Sequence, residues 1–453
     1  MLCALLLLAC GGGSDEVPDV SGVWEGELAG AGVELRLRAS FTVDDDGITG
    51  TLDIPQQQAR GLPLADFRQA GDSLSFVLPL DQGRAEFRGV VSGDTLRGLF
   101  QQNGFSGSFI LERTSMEEEA ASPGGEEVVI TGDDCVLAGT LTLPSADPPH
   151  PCLVLLSGSG LQDRDEYVMG FPVFGELARI LDASGYAVLR CDDRGTGGSS
   201  GDMGSFSDSM LVYDAGLMLD HVLNDPRIDP GRVGLLGHSE GSTTAFALAA
   251  ERAGDVAFVI SIAGPAVPGY ELLPSQLRVL LPMQGYTQEE TEEKLQAQYI
   301  VMDAVLAGDT ALVDSVLRAQ TEEQLQRLSE EELASLGDLD MYIEQATGAS
   351  AASAKSLWFR RFLAVDPVQY IREVDVPVLC LYAELDVHVI PETNLGPMEE
   401  ALADNPDHSI VVFEDANHLF QEALTGEVME YAVLESAFIE GFADTISAWL
   451  ESL

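Results

Sequence analysis

The strongest chemical signal in the chain is Gly237-His238-Ser239-Glu240-Gly241, which follows the apolar run Val233-Gly234-Leu235-Leu236 and leads into the alanine-rich stretch Ser242 to Arg252. A strand that turns sharply into a helix lifts the residue at the turn above the C-terminal edge of a parallel sheet, and the flanking positions must be small. Gly237 and Gly241 meet that demand, which makes Ser239 the candidate nucleophile. A serine hydroxyl is weakly nucleophilic at its free pKa, so it needs a general base and a carboxylate to orient that base. The chain has six histidines. His150 lies between prolines in an expected loop, His221 falls on an expected helix, His238 is the variable residue of the turn, and His388 and His408 flank strands. His418 follows the apolar strand Val411-Val412-Phe413, in Glu414-Asp415-Ala416-Asn417-His418, where a base at the sheet edge belongs. For the acid, the strand Pro377 to Ala383 ends in Glu384-Leu385-Asp386. Asp386, just past the strand end, is the better candidate and Glu384 the fallback.

Chain order Ser239, Asp386, His418 is the order found in α/β-hydrolases. Four stretches carry a wider likeness: Ser157-Gly158-Ser159-Gly160-Leu161-Gln162-Asp163-Arg164-Asp165, Leu189-Arg190-Cys191-Asp192-Asp193-Arg194-Gly195, Gly237 to Gly241, and Asn417-His418-Leu419-Phe420-Gln421. Together they resemble bacterial α/β-hydrolases of the secreted carboxylesterase kind, grouped with the serine-aminopeptidase-like hydrolases, over most of Glu126 to Leu453. Ser242, where the resemblance implies a further glycine, and Thr196-Gly197-Gly198-Ser199 depart from the pattern. Neither departure removes a catalytic group, so both bear on substrate fit. Acyl transfer passes through an oxyanion that needs two backbone N–H donors. Glu240 at the start of the elbow helix should supply one, and Ser159, with Gly160 as its neighbour, the other. The Asp163-Arg164-Asp165 and Asp192-Asp193-Arg194 runs resemble loop-shaping ion pairs of the family, with solvated surface charge as the alternative.

The expected fold class is α/β: an α/β-hydrolase fold, with a mostly parallel sheet and helices on both faces, an inserted helical cap and an additional N-terminal antiparallel β domain. Residues 20–113 read as short alternating runs separated by Asp-Gly, Ser-Gly-Asp and Asn-Gly turns, a meander that closes into a small barrel. Trp24 and Phe76 could line a ligand cavity there, although aromatic residues at strand spacing are usually core. An acidic linker covers 114–125, and the catalytic domain runs over 126–453, opening with a hairpin of Val128 to Ile130 and Val136 to Leu143. The cap, about 268–365, is expected to include helices at Glu322 to Leu336 and Ala352 to Leu363. Leu280, Met283 and Tyr286 could line the pocket below it or pack the cap.

Residues 1–9 resemble a lipoprotein-type signal, Leu7-Leu8-Ala9-Cys10 a lipobox, and 10–19 a tether. The apolar run is too short to span a bilayer. The implied location is extracytoplasmic, on a bacterial membrane, attached only through a lipid on Cys10. Cys135, Cys152, Cys191 and Cys380 read as small apolar core residues, with no metal or redox spacing.

Against 75 acidic residues stand 23 basic ones, a formal net charge of −52. A surface so anionic repels phosphate and offers no basic patch, which excludes nucleic acid as a partner. The reading is therefore a serine hydrolase acting on a small-molecule carboxylic ester through an acyl-Ser239 intermediate, with no cofactor and no metal. Peptidase chemistry on the same triad is one alternative, and a non-catalytic binding lipoprotein is another. A thiol-based dienelactone-type hydrolase is disfavoured because serine holds the elbow.

Overall fold

The computed structural model describes residues 18–30, 33–44, 47–54, 59–80, 83–102, 105–114, 124–201, 208–329, 333, 336 and 338–453. The expected signal segment, Cys10 and most of the expected linker lie outside the described residues. The chain forms two compact units, one built from the strands up to Arg113 and one from the elements after Ser122.

The first unit is an antiparallel meander of β1 (Gly22–Gly30), β2 (Val33–Asp44), β3 (Gly47–Ile54), β4 (Ala59–Pro63), β5 (Ala65–Ala70), β6 (Ser73–Leu80), β7 (Gly83–Ser92), β8 (Thr95–Gln102) and β9 (Phe105–Arg113). β1 pairs with both β2 and β9, so the first strand is stitched to the last. β4 and β5, joined through Leu64 alone, pair with β3 and β6 respectively and form the two ends of the nine-stranded sheet, whose inner face folds onto one shared core. Alternation sends one side of each strand inward. Trp24, Phe41, Phe76, Phe87 and Phe109 are among the inward residues, and all are fully or almost fully buried. Phe76 and Phe87 are directly opposed across β6 and β7 and stack at 4.9 Å. Trp24 and Phe76 thus belong to a packed apolar core.

The second unit opens on the hairpin β10 (Glu126–Thr131) and β11 (Val136–Thr142). It continues through β12 (His150–Leu156), α1 (Val173–Ala183), β13 (Ala187–Cys191), α2 (Asp208–Leu223), β14 (Ile228–His238), α3 (Glu240–Glu251) and β15 (Phe258–Ile262). The cap helices follow: α4 (Gly269–Met283), α5 (Gln288–Ala307), α6 (Thr310–Leu325), α7 (Leu339–Ala354) and α8 (Leu357–Ala364). The chain then returns through α9 (Val368–Ile371), β16 (Val378–Ala383), α10 (Pro391–Ala401), β17 (His408–Phe413) and α11 (Phe442–Glu451). The sheet order is β10-β11-β13-β12-β14-β15-β16-β17. From β13 onward every pair is parallel. This is the α/β-hydrolase fold.

Strands buried on both faces read as continuous apolar runs; every residue of β13, β15 and β16 is buried. Side chains of α2, α3 and α10 pack one face, among them Leu219, Phe246 and Met398. On the other face Phe258 meets Tyr186 and Trp449, the latter on α11. The cap has its own small core of Val301, Met302, Val305, Val313 and Leu363.

Three local expectations are corrected. His150 is the buried first residue of β12, paired beside Ile228 and donating its N–H to the Arg227 carbonyl, because the ladder extends back past Pro151. Of the helix expected over Glu322 to Leu336, α6 covers the start and ends at Leu325, and residues 330–332, 334 and 335 lie outside the described residues. The one expected over Ala352 to Leu363 is two helices, since the Ser356 side chain accepts the N–H of Phe359 and starts α8 afresh. Helical periodicity runs across such a break without registering it.

The core of the first unit yields a test. Phe76→Ala, which removes a ring touching four other phenylalanines, should cost roughly 3–5 kcal/mol. Urea unfolding of the variant against the parent measures it, and a loss below 1 kcal/mol would contradict a close-packed interior.

Candidate active site

The elbow is a steric construction. Ser239 sits between β14 and α3 with φ 53° and ψ −121°, a backbone state a side chain adopts only where its surroundings force it. A Cβ on Gly237 would lie 2.2 Å from the Gly241 carbonyl oxygen, and one on Gly241 would lie 2.0 Å from that of Leu156. Any side chain at either position would collide with backbone, which is the physical content of the Gly-x-Ser-x-Gly spacing. Ser242, in place of a further glycine, is fully buried and donates its hydroxyl to the Gly237 carbonyl at 2.7 Å. It braces the turn from within.

His418 is carried on the loop after β17. Asn417, also fully buried, accepts the N–H groups of Leu419 and Gln421 at 2.9 and 3.0 Å and holds that loop in shape. His418 Nδ1 is 2.7 Å from Asp386 Oδ2. Asp386 Oδ1 accepts the N–H groups of His388 and Val389 at 2.7 and 2.8 Å. Burial pushes the Asp386 carboxyl upward, but His418, His388 and the Val389 N–H outweigh it and hold it below the usual carboxylate range. Glu384 is exposed and accepts only the Asp415 N–H, at 3.2 Å. An ionised Asp386 at Nδ1 keeps the proton there, leaving Nε2 as the basic nitrogen.

The loop after β12 lies against the serine: a Cβ on Gly158 would fall 3.3 Å from Ser239 Cβ. Ser157 Oγ donates to Asp193 Oδ1 at 2.7 Å and the Gln162 N–H to Oδ2 at 2.8 Å. Burial lifts the Asp193 carboxyl to about 7 against these hydrogen bonds. The Gly158 N–H is taken by Glu166 Oε1 at 2.6 Å, so the next N–H along, that of Ser159, is the one beside the serine to consider as an anion donor. Glu240 is the first residue of α3, where backbone N–H groups lack helical acceptors. Behind the loop, Arg164 grips Asp192 with two nitrogens at 3.0 and 2.9 Å, Arg190 binds Asp165 at 2.8 Å, and Arg194 binds Asp214 at 2.6 Å. Arg164, Asp165, Asp192 and Arg194 of the charged runs are thus held in ion pairs, with Arg190 and Arg194 almost wholly buried.

Residues that sequence reasoning passed over also converge here. The rings of His238 and His388 each lie 4.8 Å from the His418 ring. Burial and the charge of His418 push His388 down to about 4. Trp358 of α8 donates to Glu240 Oε1 at 2.8 Å, and Gln276 of α4 to the His388 carbonyl at 2.7 Å, so the cap touches the elbow and the acid loop. Of the cap residues singled out from sequence, Tyr286 lies against Arg327 and Lys294, and Met283 is exposed. The buried thiols of Cys135, Cys191 and Cys380 are pushed up to about 11, 12 and 12 by burial, and Cys152 is raised further. Among the described residues these four cysteines are free. Among the described residues no cluster of histidine, cysteine, aspartate or glutamate is arranged to hold a metal ion.

Comparison with known proteins matches two successive stretches of the chain to two families. Residues 171–334, which include the elbow, match the family described as Serine aminopeptidase, S33. Residues 341–442, which include Asp386 and His418, match the Dienelactone hydrolase family. Esterase EstD of Thermotoga maritima is 25% identical over 372 residues, 79% of this chain and 76% of that one. Among solved structures, a Pyrococcus furiosus esterase is 15% identical, covering 75% of this chain and 94% of its own, with a TM-score of 0.44. The proline iminopeptidase of Mycobacterium smegmatis is 15% identical, covering 72% and 98%, with a TM-score of 0.43.

The depressed pKa of His388 is directly measurable. By histidine-labelled NMR its ring should titrate with a midpoint near 4, where an ordinary ring titrates at 6.5. Because the folded state disfavours its protonation, His388 contributes stability that is complete above 6.5 and is lost as the pH falls toward 4. A midpoint at 6.5 would mean a solvated ring with no part in the site.

Proposed function

We propose that the protein is a serine hydrolase that cleaves small-molecule carboxylic esters, with Ser239 as nucleophile, His418 as general base and Asp386 as the acid that orients it. The observation that carries this reading is the strained serine turn at the sheet edge combined with a buried His418–Asp386 pair at 2.7 Å on the neighbouring loops. Nε2 of His418 takes the Ser239 proton as Oγ attacks the ester carbonyl. The oxyanion is stabilised by the N–H groups of Ser159 and Glu240. His418 then returns the proton to the leaving alcohol as the C–O bond breaks. Water, losing its proton to the same nitrogen, releases the acid and restores the serine.

The likeness to an esterase supports ester chemistry. The dienelactone-hydrolase match spans Asp386 and His418 and does not reach the elbow, where serine stands at position 239. A peptidase reading has one observation in its favour, the serine-aminopeptidase match. The Glu240 carboxylate beside the nucleophile, a conceivable anchor for a substrate amine, is already engaged by Trp358.

The test is hydrolysis of p-nitrophenyl esters from acetate to decanoate, with peptide anilides alongside. Ester turnover should vanish in Ser239→Ala, by a factor on the order of 10⁶. Anilide cleavage without ester cleavage would replace the esterase by the peptidase. In Asp386→Asn the carboxylate no longer dictates the tautomer, and kcat should fall on the order of 10⁴-fold with folding intact. Near-normal turnover would remove Asp386 from the mechanism.

A further inference from the structure

The residue before the nucleophile has a partner of its own. His238 Nδ1 lies 2.9 Å from Glu166 Oε1, and Nε2 lies 3.2 Å from the carbonyl oxygen of His418. A carbonyl oxygen only accepts, and so does a carboxylate. A neutral imidazole has a single N–H and would turn a lone pair toward one of these oxygens, in a place where His238 and Glu166 are 3% and 1% exposed. With both side chains shut off from bulk water and Glu166 ionised, that mismatch has no remedy. Two N–H groups satisfy both contacts. The second oxygen of Glu166 is buried and has no hydrogen-bond partner among the described residues, and His238 is the basic side chain within ion-pair distance of the carboxylate. Oε1 also accepts the Gly158 N–H.

We propose that His238 and Glu166 form an imidazolium–carboxylate pair whose task is to position the reacting groups, tying the oxyanion loop, the elbow and the base loop into one frame. Glu166 holds Gly158, the residue before the proposed donor Ser159. His238 is bonded in sequence to Ser239, and its Nε2–H holds the backbone of His418. Neither side chain takes a proton from the substrate, so both are positioning residues. The pair is neutral overall and does not oppose the charge His418 acquires in each turnover.

The groups facing His238 are Glu166 from the loop before α1, Asp386 and His388 from the acid loop, and His418 from the base loop. Burial alone would push His238 down; Glu166, the His418 carbonyl and Asp386 reverse this and raise it above the ordinary histidine range. A raised folded pKa stabilises the frame fully below the ordinary value, and that stability is lost as the pH rises through the folded one.

The catalytic arm of the test rests on the serine-hydrolase reading, whereas a spectroscopic arm does not. With ¹⁵N-histidine in the unmodified chain, both ring nitrogens of His238 should be protonated at neutral pH; an unprotonated nitrogen there overturns the proposal whether or not the protein hydrolyses esters. In Glu166→Gln, kcat at neutral pH should fall on the order of 10²-fold through misplacement of the reacting groups, with KM little changed. The alkaline limb of its pH profile should move to lower pH. A loss by the same factor at every pH would reduce the pair to a structural contact and overturn the positioning role. Labelling of Ser239 by a fluorophosphonate reports separately: an unmodified chain that neither labels nor hydrolyses esters loses the serine-hydrolase reading, while the nitrogen spectrum still decides the pair.

Discussion

The site depends on holding one serine in a backbone state that no serine adopts freely. A positive φ at a residue with a side chain costs on the order of 1–3 kcal/mol and persists only where the surroundings over-determine it. Here β14 is locked between β12 and β15 along its whole apolar stretch. The Ser239 N–H reaches the Ile262 carbonyl at 2.9 Å, the Ser242 N–H closes back on Ser239 at 3.0 Å, and the Ser242 hydroxyl holds Gly237. The two glycines allow backbone to approach backbone where any Cβ would intrude. The sheet thus absorbs the strain, and every other functional group is positioned relative to the turn it sustains.

A second constraint is electrostatic. In a chain of net charge −52 cations are scarce, yet Arg190 and Arg194 are almost wholly buried and Arg164 is largely so, all paired with carboxylates beside the loop that meets Ser239. Removing one partner of a buried pair leaves an uncompensated charge, at a cost of roughly 3–5 kcal/mol, even where the intact pair contributes little net stability. Such pairs fix geometry more than they add stability. The His238–Glu166 contact follows the same logic closer to the serine, where a pair without net charge can brace the loops without biasing the base.

The cap reaches this frame at two points, Trp358 on Glu240 and Gln276 on the His388 carbonyl. Both involve groups adjacent to those proposed to react. The aromatic run of α8, in which Trp358 and Phe362 stack at 5.4 Å, therefore reaches the first residue of the elbow helix.

What the sequence determined by itself was whatever depends on near neighbours. Apolar runs long enough to be buried strands, glycine spacing around Ser239, turn residues between alternating strands and a carboxylate just past β16 are all local patterns with local physical causes. Local reading erred where tertiary pairing overrode it, as at His150, and where periodicity ran across a helix break, as at Lys355-Ser356. Only the tertiary structure decided which of six histidines meet and what each ring nitrogen faces. Glu166 and the His418 carbonyl lie 72 and 180 residues from His238 in sequence, and sheet order and loop packing alone bring them within hydrogen-bond reach. A carboxylate's partner, and so its charge, is a property of that packing; nothing in the residues on either side of Glu166 encodes it.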